Sequence, residues 1–70
     1  MAADTKSVAL DACDEALKIS IGNISSVLLN ALASAKSDHD RTDAADRARK
    51  GVQISKDAHT VMKGIVEAVF

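Results

Sequence analysis

The segment from Ile19 to Ala35 constrains this chain most, because it runs for seventeen residues without a charged side chain. Charged residues make up 27% of the protein, so the segment differs from its surroundings. It is near the lower length limit for a membrane span, which needs about 17 to 25 predominantly apolar residues. Its serines and asparagines make it too polar for that role, and no lysine or arginine cluster marks a cytoplasmic side. We therefore predict a helix that is covered by neighbouring helices.

The length of the chain, 70 residues, is too small to surround such a helix. A core of this size supplies about 3 to 5 kcal/mol, and small proteins usually add disulfides, metals or oligomerisation. The single cysteine, Cys13, excludes an internal disulfide and is typical of a small buried hydrophobic residue. We expect a single domain, residues 1–70, whose missing contacts come from other chains.

The charge pattern argues against a nucleic-acid partner. The net charge is −1, and the basic cluster of Arg47, Arg49 and Lys50 follows Asp43 and Asp46 by about one helical turn. Tryptophan and tyrosine are absent from the sequence, so the stacking platforms of single-strand binders are missing. The N-terminal residues show no basic run followed by an apolar stretch, and a single cysteine favours a reducing compartment. We expect a cytoplasmic protein and no membrane partner.

The first helix is predicted over about residues 4 to 36, with Asp4 or Thr5 capping its first amides. Large apolar residues step along it by three and four with heptad-like spacing, which predicts one packing seam. This seam contains Leu10, Leu17, Ile21, Ile24, Leu28, Ala31 and Ala35. Outside it lie Ile19, Val27, Leu29 and Leu32, which a two-helix contact does not cover. They predict a second interface.

Gly22-Asn23 interrupts this helix, because glycine costs about 1 kcal/mol relative to alanine in a helix interior. The pair is compatible with a kink between two shorter helices or with a close helix crossing. We favour a continuous helix, since the apolar register passes through Gly22 without a slip.

The polar stretch from Ser37 to Asp43 has no apolar residue and predicts a turn over about residues 37 to 42. Asp40 or Thr42 is the expected start of a second helix, which covers about residues 43 to 69. Its predicted seam is Ala44, Ala48, Gly51, Ser55, Ala58, Met62, Ile65 and Val69. The small residues of its first half predict a close approach to the Ala31 to Ala35 end of the first helix. Further apolar residues, Val52, Ile54, Val61, Val66 and Phe70, widen the stripe.

Residues with catalytic or metal-binding chemistry are few. Asp38-His39-Asp40 could supply three metal ligands, but a structural zinc site needs four, so a polar turn is favoured and no metal or cofactor is predicted. His59 is predicted to be a partly buried interfacial histidine that could modulate assembly. No nucleophile with its base and no glycine-rich phosphate loop is visible. We interpret the chain as non-enzymatic.

Two short motifs resemble a known family. Ile21-Gly22-Asn23-Ile24, followed by Ala31-Leu32-Ala33-Ser34-Ala35, is similar to segments of the bacterial R-body structural proteins, also called the killing-trait family. Lys63-Gly64-Ile65-Val66 resembles a step near that family's C-terminal end. The apolar tail from Met62 to Phe70 also resembles that of type III secretion needle subunits, which are helical hairpins. The R-body resemblance implies a small helical subunit that polymerises into a ribbon.

The sequence therefore predicts an all-α, two-helix antiparallel hairpin that packs into an oligomeric helical bundle or polymer of the coiled-coil type. The expected function is that of a self-assembling structural subunit whose partner is itself. The alternative is a small helical adaptor or co-chaperone that offers the same faces to a heterologous helical protein. Residues predicted at the interface are Leu17, Ile19, Ile21, Ile24, Val27, Leu28, Leu29, Leu32, Gly51, Val61, Met62, Ile65, Val66, Val69 and Phe70.

Overall fold

Two long helices form the structure, a computed structural model that describes residues 4 to 70. Helix α1 comprises Thr5–Ser34 and helix α2 comprises Asp38–Val69. Contacts pair early residues of α1 with late residues of α2, as for Lys6 with Glu67 and Ser20 with Ser55, so the helices are antiparallel. The predicted all-α helical hairpin is confirmed.

The hairpin is a flat slab, with Cα extents of 56 × 21 × 8 Å. A helix has a Cα radius of about 2.3 Å, so the slab holds a single layer of helices. The layer has two broad faces, a turn end at residues 35–37 and an open end near Lys6 and Glu67. Side chains can be buried within the chain only along the line where the two helices meet.

Helix α1 begins at the first of its predicted caps. Asp4 has extended backbone angles, and its carboxylate accepts a hydrogen bond of 3.1 Å from the Lys6 backbone N–H. This bond satisfies one of the free amides of the first turn. The helix ends at Ser34, where Ala35 turns to an extended conformation and its N–H donates to the Leu32 carbonyl.

Helix α1 is continuous through Gly22 and Asn23, as we favoured. Within the described residues, no neighbouring atom lies within 4 Å of the position that a Cβ on Gly22 would occupy. The structure therefore shows neither a break nor a close crossing at Gly22, and it gives no reason for glycine at this position.

The turn is shorter than predicted, and the expected start of helix α2 at Asp40 or Thr42 is wrong. Ser37 is the N-cap, and its hydroxyl accepts a 3.1 Å bond from the Asp40 backbone N–H. The Asp40 carboxylate in turn accepts a 3.1 Å bond from the Lys36 backbone N–H. This reciprocal arrangement resembles a capping box with aspartate in the place of glutamate. The polar stretch therefore forms the first turns of α2, where acidic residues also suit the helix dipole.

The line of contact between the helices repeats every eleven residues. On α1 the buried and half-buried positions along it are Cys13, Leu17, Ser20, Ile24, Leu28, Ala31 and Ala35. On α2 the corresponding positions are Ala44, Ala48, Gly51, Ser55, His59 and Val66. Eleven residues in three turns is close to the natural period of an α-helix, so the stripe follows a straight helix without a left-handed supercoil. The flat shape of the slab agrees with this geometry.

The predicted heptad-like seam is therefore wrong at several positions. Ile21 is 39% exposed, and Ser20 takes its place beside α2. Beyond Ser55 the predicted seam falls out of step with the helix, because a seven-residue repeat drifts relative to the natural period. Exposed seam positions are Ala58, Met62, Ile65 and Val69, whereas His59 and Val66 lie inside.

Candidate interaction surfaces

The hairpin buries few hydrophobic side chains and leaves many large ones exposed to solvent. Among residues 4 to 70, the buried hydrophobic residues are Cys13, Ala44 and Val66. Burial of Cys13 confirms its predicted place on the packed side of α1. Large hydrophobic residues that remain exposed are Val8, Ile19, Ile21, Val27, Leu29, Leu32, Val52, Ile54, Val61, Met62, Ile65, Val69 and Phe70. The candidate functional site is therefore a surface.

Most residues predicted at the interface between chains are available to a partner. Those exposed in the hairpin are Ile19, Ile21, Val27, Leu29, Leu32, Val61, Met62, Ile65, Val69 and Phe70. Half-buried beside the other helix are Leu17, Ile24, Leu28 and Gly51. Val66 is 5% exposed, so it packs within the hairpin and offers almost no surface to another chain. Contact between chains at the exposed positions stays a prediction.

One broad face carries a shallow groove along its length, and we call it the groove face. On α1 the groove is lined by Ala12, Ala16, Ser20, Asn23, Val27, Ala31 and Ser34. On α2 it is lined by Asp40, Asp43, Ala44, Arg47, Ala48, Ser55, Ala58 and Met62. The α1 residues follow one another at three or four positions, so they form a single stripe along the helix.

The half of the groove towards the open end is apolar. Ala12, Ala16, Ala58 and Met62 line it and enclose about 350 Å³. The small side chains of Ala12, Ala16 and Ala58 leave the groove open at this end. On α2 the exposed residues Ile54, Val61 and Ile65 lie four before, three after and seven after Ala58. That spacing places them on the same side of the helix, so they form a ridge beside the groove.

The polar side chains of the groove lie in the half towards the turn end, but the middle of the groove, lined by Val27, Leu28, Ala44 and Ala48, remains mainly apolar. Asn23 and Ser34 contribute from α1, while Asp40, Asp43 and Arg47 contribute from α2. The groove is thus apolar at the open end and in the middle, and it becomes polar and charged only beside the turn.

The floor of the groove holds two close contacts between the helices. The Ser20 and Ser55 hydroxyls form a part-buried hydrogen bond of 2.6 Å, in which one donates and the other accepts. A Cβ on Gly51 would lie 3.1 Å from Cδ1 of Ile24. The predicted close approach at Gly51 is confirmed, but its partner is Ile24 and not the Ala31 to Ala35 segment.

The other broad face, which we call the opposite face, carries charged contacts between the helices. His59 Nε2 lies 2.7 Å from an Asp14 carboxylate oxygen, and Lys6 Nζ lies 2.6 Å from a Glu67 oxygen. The His59 side chain is 18% exposed, which confirms its predicted partial burial. Lys18, Ile21, Val52, Lys56 and Lys63 follow at helical spacing on this face. Charged and apolar side chains are therefore mixed there.

The three residues considered as metal ligands, Asp38, His39 and Asp40, each contact a different partner. Asp38 pairs with Arg41 at 2.7 Å, His39 pairs with Asp43 at 3.3 Å, and the Asp40 carboxylate accepts from the Lys36 backbone N–H. Within the part of the chain that the structure describes, no three His, Cys, Asp or Glu residues are grouped to hold a metal ion. Each of these side chains has a role in starting or stabilising α2.

Helix α1 is long and apolar enough to cross a membrane, by length and composition alone. None of its most apolar window is buried in the hairpin, so the helix presents that surface to its surroundings. Ser20 faces α2 through its bond to Ser55.

Sequence reasoning missed the groove itself. Ala12 and Ala16 were outside the predicted interface, because alanine on a helix gives no periodic signal of its own. A signal of the contact line beneath the groove was present in the eleven-residue spacing of Cys13, Ile24 and Ala35, which repeats for Leu17 and Leu28. Comparison with known protein families, with curated proteins and with solved structures finds no significant match to the chain.

Proposed function

We propose that the chain is a non-enzymatic, self-assembling structural subunit whose apolar faces pack against copies of itself. The observation that carries this proposal is the imbalance between three buried and thirteen large exposed hydrophobic residues among those described. Complete burial of one valine, leucine or isoleucine side chain contributes about 1.5 to 3 kcal/mol. A hairpin with so little interior therefore gains most of its stability from contacts that only other chains can supply.

The flat shape favours assembly beyond a pair. Both broad faces carry exposed apolar residues, such as Ile54 on the groove face and Val52 on the opposite face. One face can join two hairpins while the other face joins the pairs, which gives an open assembly. A ribbon of this kind is what the resemblance to R-body structural proteins implies. We propose a cytoplasmic setting for it.

The arrangement of polar side chains supports a non-enzymatic role. Cys13 and His59 line the same part of the groove, but the His59 ring bonds to Asp14. Among the described residues, no hydrogen bond joins that ring to the Cys13 thiol, and a nucleophile needs its base within such reach. Cys13 is also 8% exposed, which limits its access to a substrate.

A second candidate function is that of an adaptor or co-chaperone. The apolar half of the groove, with a volume of about 350 Å³ and few polar groups in its lining, could accept an amphipathic helix of a different protein. The same exposed residues would then bind a heterologous partner in place of a second copy.

Electron microscopy of the purified protein separates these two functions. A structural subunit should form regular particles or fibres from the chain alone, over a range of protein concentration. An adaptor should stay a small, uniform species that shows no assemblies in the micrographs. Well-dispersed monomers at high concentration would contradict the structural role.

A further inference from the structure

We propose that the groove face packs against the groove face of a second copy, with the two turn ends on the same side, to form a four-helix dimer. This inference rests on the proposed function, because it names the first contact through which the subunits assemble. In this arrangement a twofold axis runs along the bundle, and α1 of each copy lies against α2 of the other.

The area of the face is sufficient for a stable dimer. The slab measures 56 by 21 Å between Cα positions, which corresponds to about 1,200 Å² for one broad face. A stable specific interface buries about 800 Å² on each partner. The groove face can therefore supply the contact without a contribution from the rest of the surface.

The shapes of the two helices are complementary at the open end. Within one hairpin, a residue of α1 and a residue of α2 lie at the same height along the long axis when their numbers add to about 74. Lys6 and Glu67 are such a pair. The twofold axis keeps this relation between copies, so Ala12 and Ala16 of one copy face Val61 and Ala58 of the other. The small residues of α1 leave room there for the Val61 and Ile65 ridge of the partner's α2.

The polarity of the two helices also matches at the turn end. Ser34 and Ala31 of one copy face Asp40 and Asp43 of the other, and Asn23 and Asn30 lie nearby on α1. Asparagine and serine side chains can bond to carboxylates or to the Arg47 guanidinium, so these charged groups keep polar partners. Polar surface therefore meets polar surface beside the turn, and apolar surface meets apolar surface along the rest of the groove, apart from Arg47, which lies at the height of Val27 of the other copy.

The end-over-end alternative lacks this match. There the twofold axis runs across the slab, so each α2 lies against the α2 of the other copy in the reverse direction. Asp43 would then lie near Ile65, and the polar end of each groove would lie against the apolar open end of the other. This arrangement would bury charged groups against apolar side chains, which is costly without a hydrogen-bonding partner.

Cross-linking of single-cysteine variants tests the arrangement. In a Cys13→Ala background, Ala16→Cys and Ala58→Cys would be prepared separately, mixed in denaturant, refolded together and treated with a short bis-maleimide. We expect the mixed Ala16–Ala58 dimer as the main product. Glu15→Cys is the matched control, since it lies at the same height on the outer side of α1, and it should give only background. Ala12→Cys with Val61→Cys provides a second reporter, and circular dichroism checks that each variant is helical.

Three outcomes would overturn the proposal. In a further mixture of Ala16→Cys with Asn23→Cys, a dominant Ala16–Asn23 cross-link would indicate the end-over-end dimer. Absence of both cross-links in a protein that light scattering shows to be oligomeric would exclude groove-face pairing, while the proposed self-assembly would stand. A parent protein that is monomeric at every concentration would overturn both the dimer and the proposed function.

Discussion

The two broad faces of the hairpin expose similar apolar residues but differ in where their charges lie. On the groove face the charged residues Asp40, Asp43 and Arg47 are gathered at the turn end, and the open half is apolar. On the opposite face, charged pairs such as Lys6–Glu67 lie among the apolar side chains at the open end. The comparison shows that exposed apolar area alone does not define an interface, because intervening charges must also be desolvated.

The strongest test of this difference places one charge on each face. Ile65→Glu on the groove face should dissociate the dimer, while Val52→Glu on the opposite face should leave the dimer and remove only larger assemblies. Because a twofold contact contains Ile65 twice, we expect a loss of about 3 to 6 kcal/mol, which weakens the dimer at least about a hundredfold. Sedimentation velocity measures both masses. The distinction between the faces fails if Val52→Glu gives monomers and Ile65→Glu does not.

A smaller effect is expected beneath the groove, where the helices meet. Gly51→Leu should destabilise the hairpin by about 1 to 3 kcal/mol, since even a Cβ at this position would lie 3.1 Å from Ile24. Gly22→Ala is the matched control, because its Cβ has free space, and it should stabilise α1 by up to about 1 kcal/mol. Urea unfolding at equal oligomeric mass measures both. If Gly51→Leu unfolds at the urea concentration of the parent or above it, the close approach is wrong.

The smallest effect is expected for the charged pairs of the opposite face. Lys6 and Glu67 have side chains that are 37% and 54% exposed, so their pair contributes at most about 1 kcal/mol. Lys6→Ala should lower the melting temperature slightly in low salt, and the difference from the parent should shrink as salt screens the charges. A difference that persists in high salt would indicate that Lys6 acts through packing of its aliphatic stem.

Helix boundaries were predictable where a single residue determines them and less so where several residues cooperate. Asp4 was identified as a cap because its side chain needs only the free amides of the first turn. The start of α2 was missed because it depends on Ser37 and Asp40 acting together with the Lys36 backbone. The absence of apolar residues in this stretch was therefore read as a turn, although its polar side chains stabilise a helix.

The candidate surface was predictable in its large residues and less so in its register. Leu29 and Val61 were placed outside the seam because two helices cannot cover residues on all sides of each other, and both are exposed. Val66 was misplaced because the seam was continued with a seven-residue period. The contact of Ser20 with Ser55 between the two helices, and hence the groove above them, becomes visible only when both helices are aligned in space.

The central claim is that this hairpin depends on copies of itself for its stability. The most direct test follows the melting of the unmodified protein by circular dichroism over a hundredfold range of concentration, with the mass measured by light scattering at each point. Because assembly stabilises only the folded state, the account predicts a melting temperature that rises with concentration and a mass at or above that of a dimer. A helical monomer with a melting temperature independent of concentration would contradict it.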